Sequence, residues 1–388
     1  MGDDATLTPV AAVVERFGWL DARLLSVVLG SVAIVVGAGL IQVSFGAFSM
    51  PIVAAWQAVF DPAVWTNPQV LLRLLLGDGL GTSVASALGF STAEVELSRE
   101  TLVVWSIRMP RVLVAVLVGA NLALSGAVFQ AVTRNELASP YVLGVSSGAG
   151  LAVLLTLVFF GGLAAFLPLF AALGGAVAFV LVYVIAWQNG TSPVRLVLAG
   201  VIVSTVFGSL QQGMFFLIDD VGTVQAALSW TTGSLTGVDW EQVRLALPWT
   251  ILATGLLLVT SRHLNVLLLG ERTASSLGMD VERVRFGVSA VAILAAGSAI
   301  AVAGIVGFVG LIVPHMVRNL VGSDYKRLMV GCLFAGPALV VFADVLARLG
   351  LVALGLGMSQ VPVGIVTGVV GGPYFLYLMR KQEHIGEL

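Results

Sequence analysis

Cys332, His263, His315 and His384 are the only thiol and imidazole groups in the chain, and no two stand at a spacing that gathers metal ligands. Cys332 has no second cysteine to pair with and lies in an apolar run, so it reads as a small core residue. No HExxH is present, and no GxSxG constellation points to hydrolysis. The only lysines, Lys326 and Lys381, lie outside any GxxxxGK[ST] phosphate cradle, so the chain offers no P-loop site for ATP hydrolysis. Deep carboxylates, which a proton relay needs, come down to Asp344. It stands four residues before Arg348, the spacing of a helical ion pair. These residues predict a chain that is no enzyme and binds no metal, cofactor or nucleic acid.

The remaining concentration of charge is LNVLLLGERTASSLGMD at 264–280, a helix-compatible stretch between long apolar runs. Across the chain 58% of residues are hydrophobic and 10% charged, against about 25% charged in ordinary globular domains, and the mean hydropathy is +1.03. A soluble chain of this length would need more polar surface. The requirement of roughly 20 apolar residues per membrane helix places spans near 24–43, 112–131, 142–160, 163–187, 196–218, 243–261, 286–303, 305–320, 329–349 and 360–379. The expected fold is an all-α polytopic membrane protein of about ten transmembrane helices over 24–381, flanked by an N-terminal segment 1–23 and a tail 382–388.

Ten crossings put both termini on one side. That side collects 13 of the 19 Lys and Arg, among them Arg134, Arg195, Arg272 and Arg285, and the positive-inside rule makes it the cytoplasmic face of a cell membrane. Residues 44–107 then form an outer segment. Its SMPIVAAWQAVFDPAVW half reads as a short amphipathic helix ended by Asp61-Pro62. Its QVLLRLLLGDGLGTSVASALGF half reads as an interfacial or capping helix, interrupted by Arg73, Asp78 and glycines.

Three classes of function suit such a chain: an importer subunit driven by a separate ATPase, an ion-coupled secondary transporter, or a membrane-embedded enzyme. The last two need ionisable or catalytic groups at depth, and the middles of the spans hold almost none. They carry small and neutral polar residues instead. Gly200, Ser204, Gly208 and Gln212 are four apart and fall along one helix face; Gly364 and Gly368 make a GxxxG pair that Gly371 continues. Such stripes serve close helix packing or a passage wall without strong binding groups. Both hold if a second copy packs there across a twofold axis.

Five blocks carry a resemblance: WSIRMPRVLVAVLVGANLALSGAVFQAVTRNELASPYVLGVSSGAG (105–150), RLVLAG (195–200), LNVLLLGERTASSLGM (264–279), AGIVGFVGLIVPHMVRNLVGSD (303–324) and VPVGIVTGVVGGPYFLYLMRK (361–381). In this order they resemble the FecCD/BtuC-like permeases, the transmembrane subunits of ABC importers for iron-siderophores, haem and cobalamin. The resemblance implies the type II ABC importer permease fold and a homodimer with a central passage. It implies as partners two cytoplasmic P-loop ATPase subunits, which hold the ATP and Mg, and an extracytoplasmic substrate-binding protein.

The resemblance also assigns residues. Within 263–284, Leu269, Gly270, Glu271, Arg272, Ala274, Ser275, Leu277 and Gly278 would form coupling helices that dock into the ATPase. Arg108, Arg111 and Arg348 would receive acidic residues of the binding protein, a task suited to the bidentate guanidinium, with Pro110 fixing the entry of the second span. Asn135 would contribute to the cytoplasmic gate. The chain departs from the family pattern at Glu136, where proline is usual, at Gln360, where Glu is typical, and at Tyr325, in place of His. Pro193 and Val194 replace a polar pair that cobalamin permeases can show before Arg195. GVDW at 237–240, followed by Glu241 and Gln242, resembles cobalamin members, so the expected cargo is cobalamin, ahead of ferric siderophore and haem.

Overall fold

A computed structural model describes residues 21–45, 50–91, 95–218, 220–353, 355 and 360–386, with 377–386 described as backbone alone. Every regular element among these residues is helical. α1 (Ala22–Ser44) begins where the Asp21 carboxylate accepts from the Leu24 N–H. Four short helices follow: α2 (Ile52–Val59), α3 (Pro62–Trp65), α4 (Pro68–Leu76) and α5 (Asp78–Ala87). α6 (Arg99–Val103) passes through a π-helical turn, Val104–Arg108, into α7 (Met109–Thr133). Then come α8 (Val145–Phe159), α9 (Leu167–Ala186), α10 (Pro193–Phe215), α11 (Val221–Thr232) and α12 (Trp240–Leu268). The chain continues through α13 (Glu271–Ser276), α14 (Val281–Ala303), α15 (Val309–Val321), α16 (Tyr325–Ala353) and α17 (Val363–Gly386).

Among the described residues seven stretches are long and apolar enough to cross a bilayer: α1, α6–α7 as one helix of 35 residues, α9 with its lead-in turn, α10, α12, α14 and α16. The other three expected spans are helices too, but shorter: α8, α15 and the Val363–Leu376 part of α17. At about 1.5 Å per residue, each of these three stretches falls short of a hydrocarbon core of about 30 Å.

α7 is the central column and packs against α12, α14, α15 and α16. In lipid, apolar surface does not drive helices together, so close van der Waals approach must. Small residues permit it. A Cβ added to Gly126 would lie 1.8 Å from the Gly310 carbonyl oxygen of α15, and one on Gly336 of α16 would lie 2.2 Å from that of Gly119. Pro110 is the second residue of α7, at the entry where the sequence places it, and the π-turn before it joins α6 and α7 into one rod, a widened turn of the kind that accommodates a residue without an N–H and with a ring aimed at the preceding carbonyl.

The segment before α6 is bound to the bundle. The Trp105 Nε1–H donates to the Ala58 carbonyl at 2.9 Å, Thr101 Oγ1 to Asp61 Oδ2 at 2.5 Å, and the Trp65 and Trp105 rings meet edge to face at 5.6 Å. Asp61 does more than end α2: its carboxylate accepts from the Ala63 N–H and starts α3. Arg244 of α12 donates to the Leu74 carbonyl at 2.9 Å, which fastens α4.

Polar ties between elements define two ends. At the basic end Arg327 meets Asp21 at 3.0 Å, Asn265 donates to Asp324 at 2.8 Å, and Arg134 donates to the Leu267 carbonyl at 3.2 Å. At the opposite end Arg348 donates to the carbonyls of Gln42 (3.3 Å) and Phe45 (2.9 Å).

Candidate functional site

At the basic end the stretch between α12 and α14 folds as the six-residue helix α13. It is closed as its sequence suggests: Gly278, at φ +83°, donates to Ser275 and Met279 to Ala274, the paired bonds of a Schellman motif. One side is fixed to the bundle and the other is free. Ala274 is fully buried, so it packs inward instead of facing a partner, while Leu269 and Leu277 are 60% and 65% exposed and Arg272, Ser275 and Gly278 are exposed with them. Gly270, at φ +109°, makes the bend into the helix. Glu271 turns back to Arg285 of α14 at 2.6 Å.

Arg285 is 1% exposed. Its guanidinium also donates to Glu282 Oε1 (2.9 Å) and to the Thr191 carbonyl (2.9 Å) and hydroxyl (3.0 Å). Glu282 in turn accepts from the Thr191 N–H (3.0 Å) and from the Tyr183 hydroxyl (3.0 Å). Sequence reading passed over this cluster. The signal was present in Glu282 and Arg285, three apart on the helix that follows the charged loop, but Thr191 lies 94 residues away from Arg285.

A groove lies between the short helices. It is lined by Leu137, Tyr141, Ile305, Phe308, Gly364 and Gly368, with Ser139, Thr231 and Thr232 as its neutral polar contribution. The groove is open along one side, and among the described residues no acidic or basic side chain lines it. The expected small-residue stripes are divided between packing and wall. Gly364 is packed, since a Cβ there would lie 1.9 Å from the Thr232 carbonyl oxygen; Gly368 has nothing within 4 Å. On α10, Gly200 is pressed against the Val142 carbonyl (2.5 Å to an added Cβ) and Ser204 stands 3.5 Å from the Tyr141 carbonyl, whereas Gly208 has open space and Gln212 is exposed. The four residues therefore do not share one environment. A four-residue step overshoots a turn by about 40°, so three steps carry the row about 120° around the helix. Gln211, which sequence reading missed, returns to the Gly200 side and donates to the Ser147 carbonyl at 2.8 Å.

The expected gate residue Asn135 accepts from the Leu137 N–H at 2.9 Å, so its side chain shapes the 134–144 turn locally. Glu136 reaches across instead: it meets His315 Nδ1 at 3.0 Å and Arg318 Nη1 at 3.1 Å. Arg318 also donates to Gln130 (3.2 Å) and the Tyr325 hydroxyl (3.3 Å). Two departures from the family pattern, Glu136 and Tyr325, thus meet in one cluster. GVSSG at 144–148 does match the letters GxSxG, but it opens α8 with no strand before it, so it is no nucleophile elbow.

At the opposite end the expected exposure of Arg108 and Arg111 is corrected. Both are buried, at 4% and 8%. Arg111 holds Asp344 through Nε and Nη2, each at 2.8 Å, and donates to Gln360 Oε1 at 2.9 Å. Arg108 donates to the Val43 carbonyl, and Gln42 Nε2 to Asp344. Asp344 is therefore paired with Arg111 and not with Arg348, one turn along its own helix. The carboxylate of Asp344 neutralises Arg111, and the neutral Gln360 adds a hydrogen bond to the same guanidinium.

The chain matches the FecCD transport family over residues 33–381. It is 40% identical to the Fe(3+)-citrate import system permease protein YfmD of Bacillus subtilis, over 74% of this chain and 84% of that protein. It is 39% identical to the cobalamin import system permease protein BtuC of Halobacterium salinarum, over 72% of this chain and 74% of that protein. Among solved structures it superposes on an inward-facing metal-chelate type ABC transporter with a TM-score of 0.73 and 26% identity, covering 92% of this chain and 99% of the other.

Proposed function

The chain belongs to the FecCD transport family of ABC importer permeases, and on that premise we propose that it forms the passage through which a metal chelate enters the cell, driven by ATP hydrolysed on separate subunits. The observation that carries this reading is α13. A helix fixed on one side by Glu271 and Ala274 presents exposed leucines at the water-facing end of a membrane bundle, which is the form of a docking surface. The excess of Lys and Arg makes that end cytoplasmic, where the ATPase subunits would seat.

The open groove supplies one wall of the passage, and a second copy of the chain related by a twofold axis supplies the other. Its lining of small, apolar and neutral polar groups suits a bulky solute that must pass without strong binding. The substrate-binding protein would dock at the opposite end. Because Arg108 and Arg111 are committed inside the chain, their role there is to hold that end rigid, and half-buried Arg348 is the arginine of the three left nearest the surface.

Cargo is read at the level of metal chelates, with cobalamin and ferric chelates as the candidates. The GVDW cue for cobalamin is accounted for by folding: Asp239 caps α12 in a capping box with Gln242, and Trp240 donates to the Trp105 carbonyl at 2.5 Å. Leu269→Asp combined with Leu277→Asp tests the docking surface. The ATPase subunits should fail to co-purify while the permease still inserts; full co-purification would remove α13 as the docking site.

A further inference from the structure

The Arg285 cluster joins two elements that the proposed function uses separately. Glu271 is the first residue of docking helix α13. Thr191 belongs to the 187–192 connector that leads directly into α10, the helix bearing Gly200 and Ser204. Resting on the importer reading above, we propose that Arg285 is the positioning residue that transmits displacement of α13 to the passage helix α10.

The connector is built to pass on a push. Arg195, in the first turn of α10, donates to Gln188 Oε1 (2.8 Å), the Gly190 carbonyl (2.8 Å) and Ser192 Oγ (3.2 Å), so one side chain holds the whole connector against the helix. Ser192 caps α10 by accepting from the Arg195 N–H. Asn189 takes φ +52°, the left-handed turn conformation that asparagine tolerates. Glu282 grips the connector from α14 through both the N–H and the hydroxyl of Thr191, and adds α9 through Tyr183. Arg285 closes the chain of contacts from α13 to the connector.

Arginine suits this task for physical reasons. Its planar fork offers five donors in fixed directions and stays charged throughout the physiological range, whereas lysine offers three donors around a point charge on a flexible stem. Here the fork contacts three elements at once, and its burial excludes water that would loosen those bonds. Two carboxylates, Glu271 and Glu282, share the one cation, so the cluster stays paired while α13 shifts as a body.

The test uses the permease assembled with its ATPase subunits and binding protein in proteoliposomes, with Arg285→Lys and, as a smaller change, Thr191→Val. In both variants the ATPase should co-purify and hydrolyse ATP, while substrate moved per ATP falls about fivefold or more, the scale of a typical coupling free energy. An unchanged ratio in both variants overturns the proposal. So does loss of co-purification in either, because Arg285 would then build the docking surface and not transmit from it. If Arg285→Lys does not fold, Thr191→Val decides alone. Should the unaltered complex show no ATP-driven transport, the importer reading fails first, and the two failures are told apart.

Discussion

Asp344 carries a carboxylate to full burial in a membrane bundle and is tolerated because the Arg111 fork covers both of its oxygens. A buried pair adds little net stability relative to well-packed apolar residues, but breaking it leaves one charge stranded. Asp344→Asn is therefore expected to destabilise by about 3–5 kcal/mol, and Arg111→Met with Asp344→Leu by much less. Thermal unfolding in detergent measures both. Equal losses in the single and double variants would show that packing, and not the stranded charge, sets the cost. The same pair shows a limit of sequence reading. An acid four residues from a base suggested a local partner in Arg348, while the real partner lies 233 residues away, and no local spacing reports such a contact.

At the scale of elements, run length and composition located a helix in each of the ten expected spans but not α11, and did not separate α4 from α5; the closure of α13 by Gly278 was legible because glycine favours positive φ. The place of Pro110 in the first turn of α7 was legible too, whereas the π-turn before it leaves no sequence signature of its own. The glycines were only partly legible, since a GxxxG spacing does not say whether its neighbour is backbone or open groove. The structure separates them. Gly126→Val and Gly336→Val should abolish assembly of the bundle, because the facing backbones cannot part without opening α7. Gly208→Ala and Gly368→Ala should change stability by no more than about 0.5 kcal/mol. Folded yield and unfolding temperature in detergent distinguish the sets; a stable Gly126→Val protein would contradict the packing assigned to α7.

At the scale of the whole molecule, the ionisable groups sort themselves by position. At the end opposite the basic one, buried Asp344 is neutralised by Arg111. Toward the basic end ionisable groups form two separate clusters, one around Arg285 beside α13 and one around Arg318 beside the 134–144 turn, and between the ends runs a groove lined without charge. That distribution fits the proposed ATPase-driven importer; among the described residues no line of carboxylates crosses the bundle. The membrane class and the charged loop were readable from composition. The tie from α13 to α10 was not, because it depends on residues brought together only by folding. The most direct measurement is uptake of radiolabelled cobalamin and ferric chelates into proteoliposomes holding the permease, its ATPase subunits and its binding protein. The account predicts uptake of one of them that starts with ATP and stops when the ATPase is inactivated. Uptake that persists on an ion gradient with the ATPase inactive would contradict it.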